Sequence, residues 1–200
     1  MKVIGVTGLP GSGKGVVSRV AKKLGIPIIS MGDVIRNEAK KRDEKTGDTA
    51  VKLRKEYGEF IVAERCVKTI KEYYNTMETS NNIVVKSPIF MIEGIRSPYE
   101  VEIFKKNFNY FKVIAVHSTP RTRFKRLQRR KRPDDSREKS EFTLRDEREL
   151  KFGIGNVIAT ADYMIINKGP IKKIKSIVRS ILENEMQNDR KNMCKPYRRS

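Results

Sequence analysis

Two hundred residues make one domain with a sizeable core rather than a multidomain chain. Hydrophobic residues account for 38% and charged residues for 34%, but the apolar ones gather into short runs such as Ile89–Ile92, Val113–Val116 and Tyr163–Ile166, which excludes wholesale disorder. None of these runs nears the roughly 20 residues of a membrane span, and 44 basic against 24 acidic residues leave a formal charge of +20 that draws anionic ligands such as nucleotides or nucleic acid.

Lys2 to Thr7 is β-branched and alternating, and reads as a strand that runs into a glycine cluster and then into a helix from Val16 to Leu24. Gly25 ends that helix and Ile26–Ile29 forms a second strand. Ser30 caps a helix starting near Gly32, with Asp33 in the reciprocal acidic position. A turn at Lys45–Asp48 leads to a helical stretch from Thr49 to about Tyr74, so residues 30–75 form a helical arm between strands. Ile83-Val84-Val85 and Ile89–Ile92 flank Pro88, with a central strand in the second run, closed by Gly94. Ser97-Pro98-Tyr99-Glu100 has an N-cap serine, a first-turn proline and a capping-box glutamate. Val113–Val116 is the next strand, Thr119-Pro120 opens a helix, and charge interrupts it after Arg130. A helix over Glu141–Lys151 is broken by Gly153 and Gly155. Tyr163–Ile166 is the last strand, and Ile171, Ile174, Ile177, Val178, Ile181 and Leu182 give a closing amphipathic helix. Residues 186–200 read as a basic tail without periodicity and of disorder-prone composition, after a single domain over 1–185. Alternating strands and helices, each strand a continuous apolar run, predict an α/β fold with a five-stranded parallel sheet covered on both faces. Without a secretory pattern at Met1–Val6, the chain is expected in the cytosol. Cys66 and Cys194 have no metal spacing and read as reduced bystander thiols.

Gly8-Leu9-Pro10-Gly11-Ser12-Gly13-Lys14-Gly15 matches G-x-x-x-x-G-K, the Walker A pattern, between a strand and a helix. Glycines let the backbone wrap phosphates, amides at the helix N-terminus supply partial positive charge, and Lys14 reaches the β and γ phosphates of a bound ATP. Gly15 stands where a serine or threonine would offer a hydroxyl to Mg2+.

The loop resembles that of adenylate kinases and other nucleoside monophosphate kinases, where glycine follows the lysine and a threonine usually comes next; here that residue is Val16. Ile29-Ser30-Met31-Gly32-Asp33-Val34-Ile35-Arg36 resembles the I-S-T-G-D-x-x-R segment opening the acceptor arm of those enzymes. That resemblance makes Ser30, Gly32 and Arg36 acceptor-nucleotide residues. Glu93-Gly94-Ile95-Arg96 resembles their D-G-F-P-R segment, which makes Arg96 a second acceptor-phosphate ligand and Glu93 the carboxylate that holds magnesium-bound water. Arg126 and Arg130, four apart on one helix face, resemble the two lid-hinge arginines. Arg132-Pro133-Asp134-Asp135 resembles the closing R-x-D-D, and either Arg145 or Arg148 matches the last phosphate arginine. The lid region then spans about 126–148 and is short, without a zinc module. The same likeness implies a three-layer P-loop NTPase fold with strand order 2-3-1-4-5, and it covers residues 1 to 167. It is similar to an archaeal adenylate-kinase-related family, and Glu-Gly-x-Arg with the last strand also resembles dephospho-coenzyme A kinases.

Phosphoryl transfer needs charge neutralised across a loose transition state, which accounts for nine of the nineteen arginines lying between Arg121 and Arg148. The implied function is transfer of the ATP γ-phosphoryl to a nucleoside monophosphate such as AMP, with Lys14, Arg126, Arg130 and Arg132 as the catalytic cations. An ATPase switch using the basic surface and tail on RNA or the ribosome is the alternative. A GTPase is disfavoured, because Pro170 replaces the aspartate of N-K-x-D after Asn167-Lys168-Gly169. His117 reads as a loop histidine.

Overall fold

The computed structural model describes residues 1–80, 88–130 and 138–192. Ile83-Val84-Val85, Arg132 with the rest of Arg132–Asp135, Cys194 and the end of the basic tail lie outside the described residues.

Five parallel strands, β1 (Lys2–Thr7), β2 (Ile28–Ser30), β3 (Ile89–Ile95), β4 (Tyr110–His117) and β5 (Tyr163–Ile166), lie in the order β2-β3-β1-β4-β5. Consecutive residues of a strand point to opposite faces, so the continuous apolar runs feed two cores. Val3, Phe90 and Ile92 pack under α2 (Met31–Arg42), α4 (Ile61–Ser80), α5 (Pro98–Asn107) and the short α8 (Ile154–Ala159). Ile4, Val6, Met91, Ile114 and Val116 pack on the other face under α1 (Lys14–Lys23) and α9 (Ile171–Asn192). Ile174, Val178 and Leu182 of α9 are at most 2% exposed, each burial contributing about 1.5–3 kcal/mol. The sheet is thus covered on both sides, as the three-layer P-loop fold requires.

Four elements depart from the sequence reading. The stretch from Thr49 to Tyr74 is two helices, α3 (Thr46–Tyr57) and α4, divided at Gly58, whose φ of +90° ends α3. Gly94 does not close β3. It sits at φ +103° inside the strand, where the register with β1 jumps from Val6↔Glu93 to Thr7↔Ile95, a bulge at the ligand end of the sheet. Gly153 caps α8, a helix the two glycines had hidden, and Gly155 lies within it. Residues 186–192 continue α9, because Glu185 is fully buried and gives the helix a reason to extend. It accepts hydrogen bonds from the Tyr110 and Tyr163 hydroxyls and from Lys112 Nζ at 3.1 Å, while Lys2 Nζ donates to its carbonyl at 2.9 Å.

The helical arm is fastened to the body by a buried ion pair. Arg54 of α3 donates to Glu100 of α5 at 3.0 Å, and its guanidinium lies 5.0 Å from the centre of the Phe152 ring. The other carboxylate oxygen of Glu100 accepts from the amides of Arg96 at 2.7 Å and Ser97 at 3.2 Å, completing the capping box of α5.

Candidate active site

A cavity of about 620 Å³ opens at the carboxyl ends of the strands, where ligands of open α/β sheets bind. Its floor is the loop between β1 and α1. Gly8, Gly11 and Gly13 all have positive φ, and a Cβ on Gly13 would stand 2.0 Å from Asn167 Nδ2, so only glycine fits there. The first turn of α1 has neither a side-chain cap nor an acidic residue, which leaves its amides and its positive dipole end for an anion. Pro10, Gly11, Lys14 and Gly15 line the cavity with Gly8.

Lys14 Nζ donates to the carbonyls of Gly8 and, at 3.4 Å, Leu9. Burial and then the positive Arg96 push its pKa from 10.5 down to about 8, against the pull of Glu93 and Glu149. The unfolded chain keeps this proton up to about pH 10.5, so between 8 and 10.5 it binds more protons than the native state. The contribution of Lys14 to free-protein stability therefore rises with pH across that window. A lysine that holds a phosphate does so, in contrast, in its charged form. ADP affinity is expected to fall above pH 8, approaching about tenfold per pH unit, and a flat calorimetric profile from pH 7 to 9.5 would contradict this role.

Behind the loop stands a clamp that sequence spacing identified only in part. Arg126 Nη1 donates to Ser12 O at 3.0 Å and Ser118 Oγ at 2.8 Å, and its Nη2 donates to Asn167 O at 3.2 Å. Asn167 Nδ2 and Ser118 Oγ also donate to Ser12 O, at 2.8 and 3.1 Å. Arg123, buried at 2% exposure, forms a fork to Asp146 of α7 (Lys139–Lys151) at 2.7 and 2.5 Å and donates to Pro10 O at 3.2 Å. Arg126 thus holds the loop's outer carbonyls as well as lining a second cavity of about 250 Å³ beside it. Ser12 Oγ is buried beneath the loop.

The smaller cavity is shared by Arg19, Arg126, Arg130 and Glu93, and the larger by Glu93, Arg130, Arg36, Arg96 and Arg145. Glu93 and Arg130 therefore border both. Arg130 belongs to α6 (Pro120–Arg130) and is exposed. Ser30 caps α2 by accepting from Asp33 N at 3.2 Å, and Gly32 lies beside it on the wall. Asp33 does not complete a reciprocal capping box; its carboxylate holds the Arg36 guanidinium, with the Nε contact at 3.1 Å. Arg96 pairs with the buried Glu149 at 3.2 Å. Arg145 lines the cavity, whereas the Arg148 guanidinium lies toward Gly47 of α3, 3.8 Å from where a Cβ would stand. His117 ends β4 outside both linings.

Sequence reasoning passed over Arg19, Ser18, Arg123 and Glu149. Ser18 and Arg19 carried a readable signal: three and four residues past Gly15, they share its helix face. The hard oxygen donors that Mg2+ takes are present in the Glu93 carboxylate and the Ser18 hydroxyl, 2.6 Å apart on the cavity wall. Among the described residues no three His, Cys, Asp or Glu side chains come together, so the residues fit an ion held jointly with phosphate oxygens and waters rather than in a protein cage.

A glycine loop wrapped ahead of an open helix N-terminus, on a five-stranded parallel sheet of this order, defines a kinase-type P-loop domain. The chain belongs to the UPF0200 family of archaeal proteins, and its residues 7–141 match the family model described as an AAA domain. The UPF0200 protein of Methanothermobacter thermautotrophicus is 59% identical over 182 residues, covering 91% of this chain and 90% of that one. The UPF0200 protein of Pyrococcus furiosus is 42% identical over 184 residues, covering 88% and 94%. Among solved structures, shikimate kinase from Bacteroides thetaiotaomicron aligns with a TM-score of 0.56 at 18% identity, covering 91% of this chain and 98% of that one. Shikimate kinase from Acinetobacter baumannii in complex with shikimate aligns at 0.54 and 15%, covering 98% and 96%. At those identities the likeness is one of fold. No helix among the described residues is long and apolar enough to cross a membrane.

Proposed function

We propose that the protein is an ATP-dependent phosphotransferase that passes the γ-phosphoryl group to the phosphate of a nucleoside monophosphate such as AMP. The observation that carries this reading is that Lys14 and the glycine loop line one cavity of about 620 Å³ together with Arg36, Arg96 and Glu93. Two phosphate-bearing ligands drawn into one cavity by separate cations can meet end to end, which is the geometry of in-line transfer.

In this reading the loop amides and Lys14 hold the donor's β and γ phosphates, and Arg19 adds a cation on the donor side. Arg96 and Arg36 take the acceptor's phosphate, exchanging Glu149 and Asp33 for phosphate oxygens, which suit the planar guanidinium fork. Arg130, bordering both cavities, spans the transferring group, and Arg145 supports it from α7. A bound Mg2+ would supply charge neutralisation on the β and γ oxygens, and Glu93 with Ser18 are the residues that would hold it. No covalent intermediate is required.

The two walls can be tested separately. Arg96→Ala removes a charged hydrogen-bond donor worth about 1.5–3 kcal/mol, so acceptor KM is expected to rise at least about tenfold while ATP KM stays within about twofold. Equal loss toward both substrates would place Arg96 outside the acceptor wall. Adenosine, which lacks the phosphate, is expected not to be phosphorylated.

A further inference from the structure

Gly15 and Val16 leave both positions after Lys14 without a hydroxyl, yet a hydroxyl stands against the acidic residue of the cavity all the same. Ser18 Oγ donates to Glu93 Oε2 at 2.6 Å, and both residues line the larger cavity with Lys14. Ser18 shares a helix face with Gly15 but lies one turn further from the loop, set back by about 4.5 Å at 1.5 Å per residue. We propose that Ser18 and Glu93 together seat the water shell of the donor's magnesium ion, so that Ser18 replaces, at one water's remove, the hydroxyl lost at Gly15. The assignment rests on the donor-nucleotide reading of the cavity.

The setback puts the Ser18 hydroxyl beyond direct coordination, where it can hold only the ion's waters. Magnesium gives up its waters reluctantly, with metal to water about 2.1 Å and water to hydroxyl about 2.7 Å. An interposed water lets the hydroxyl act from about 2.7 Å beyond direct contact, on the ion's water shell rather than on the ion itself. A serine hydroxyl can donate to a carboxylate and accept from a water at the same time, and its bond to Glu93 fixes both side chains before any ligand arrives. Room exists too: a Cβ on Gly15 would meet only Arg19 Nη1, at 3.7 Å. A mere strut between α1 and β3 would have the same hydrogen bond but no response to metal.

Titration calorimetry of ADP with and without Mg2+, paired with the electron paramagnetic resonance of Mn2+ and ADP, separates the two. Wild type is expected to bind ADP more tightly with metal. Ser18→Ala should lose about tenfold of that enhancement, as loss of a metal-orienting group does, with metal-free ADP affinity within about twofold. The Mn2+ signal should broaden toward that of free Mn2+–ADP, Ser18→Thr should restore both readouts, and the thermal midpoint of free Ser18→Ala checks its fold. An unchanged metal enhancement in Ser18→Ala, or equal losses with and without metal, overturns the assignment alone. Wild type that binds no ADP under either condition overturns the donor-nucleotide reading, and the assignment with it.

Discussion

Lys14→Ala is expected to lower kcat/KM by about 10²–10³-fold, the scale of losing one preorganised donor at a developing charge. The cause is local. Lys14 is the cation of the loop, and its Nζ lies against the Gly8 and Leu9 carbonyls, beside the amides at the start of α1. A merely damaged fold would look different. Burial already holds the Lys14 pKa down to about 8, so its charge opposes folding at neutral pH and its removal should leave the thermal midpoint of the free protein unchanged or higher. The rise in midpoint that saturating ADP gives wild type should disappear. A variant that keeps both its turnover and that rise would show that the loop does not bind phosphate.

Arg54→Ala is expected to destabilise the protein by about 3–5 kcal/mol, because truncating one partner strands a buried charge. Glu100 is fully buried and Arg54 is 6% exposed, and their contact joins the helical arm to α5. The loss is a large share of an ordinary domain's total stability of about 5–15 kcal/mol. Equilibrium urea unfolding should show it as a lower midpoint at constant slope. The double variant Arg54→Leu with Glu100→Gln should recover part of the loss, since it leaves no lone charge behind. The same carboxylate binds the Arg96 amide at 2.7 Å, so Arg54→Ala should also weaken acceptor binding through Arg96. A destabilisation below about 1 kcal/mol, the range of exposed pairs, would show that the arm is not fastened there.

Those two sites differ in how visible they were from the sequence. The loop was legible because its signal is local: glycines at fixed spacing between a β-branched run and a helical one. The five strands were legible for the same reason, each being a short apolar run, although the edge strand β5 buries Ile165 and leaves Met164 and Ile166 exposed, and the order 2-3-1-4-5 followed from family likeness. Arg54 with Glu100 was not legible, since a pair 46 positions apart leaves no periodic trace. Gly58 and Gly94 show the ambiguity of the residue itself: one ends a helix, the other bulges a strand that continues to Ile95. Family likeness singled out Arg126 and Arg130 but passed over Arg123, because only the folded chain brings Asp146 within reach of its guanidinium. Arg36 was found as a cavity residue, but its pairing with Asp33 one turn earlier was missed. The sequence reading judged the loop hydroxyls absent and looked no further, so it missed Ser18, whose hydroxyl donates to Glu93 one turn beyond the motif.

Whether donor and acceptor phosphates meet in one cavity is read by following the label of ATP that carries a radioactive γ-phosphate. The protein would be offered Mg2+ with AMP, CMP, UMP, GMP or dephospho-coenzyme A in turn, and with structured RNA in a separate lane. Label appearing in a nucleoside diphosphate, dependent on both Lys14 and Arg96, is the predicted result. Label in coenzyme A would keep the phosphotransferase and change its acceptor. Label released only as inorganic phosphate, and only when RNA is present, would contradict the account and make the fold an ATPase switch.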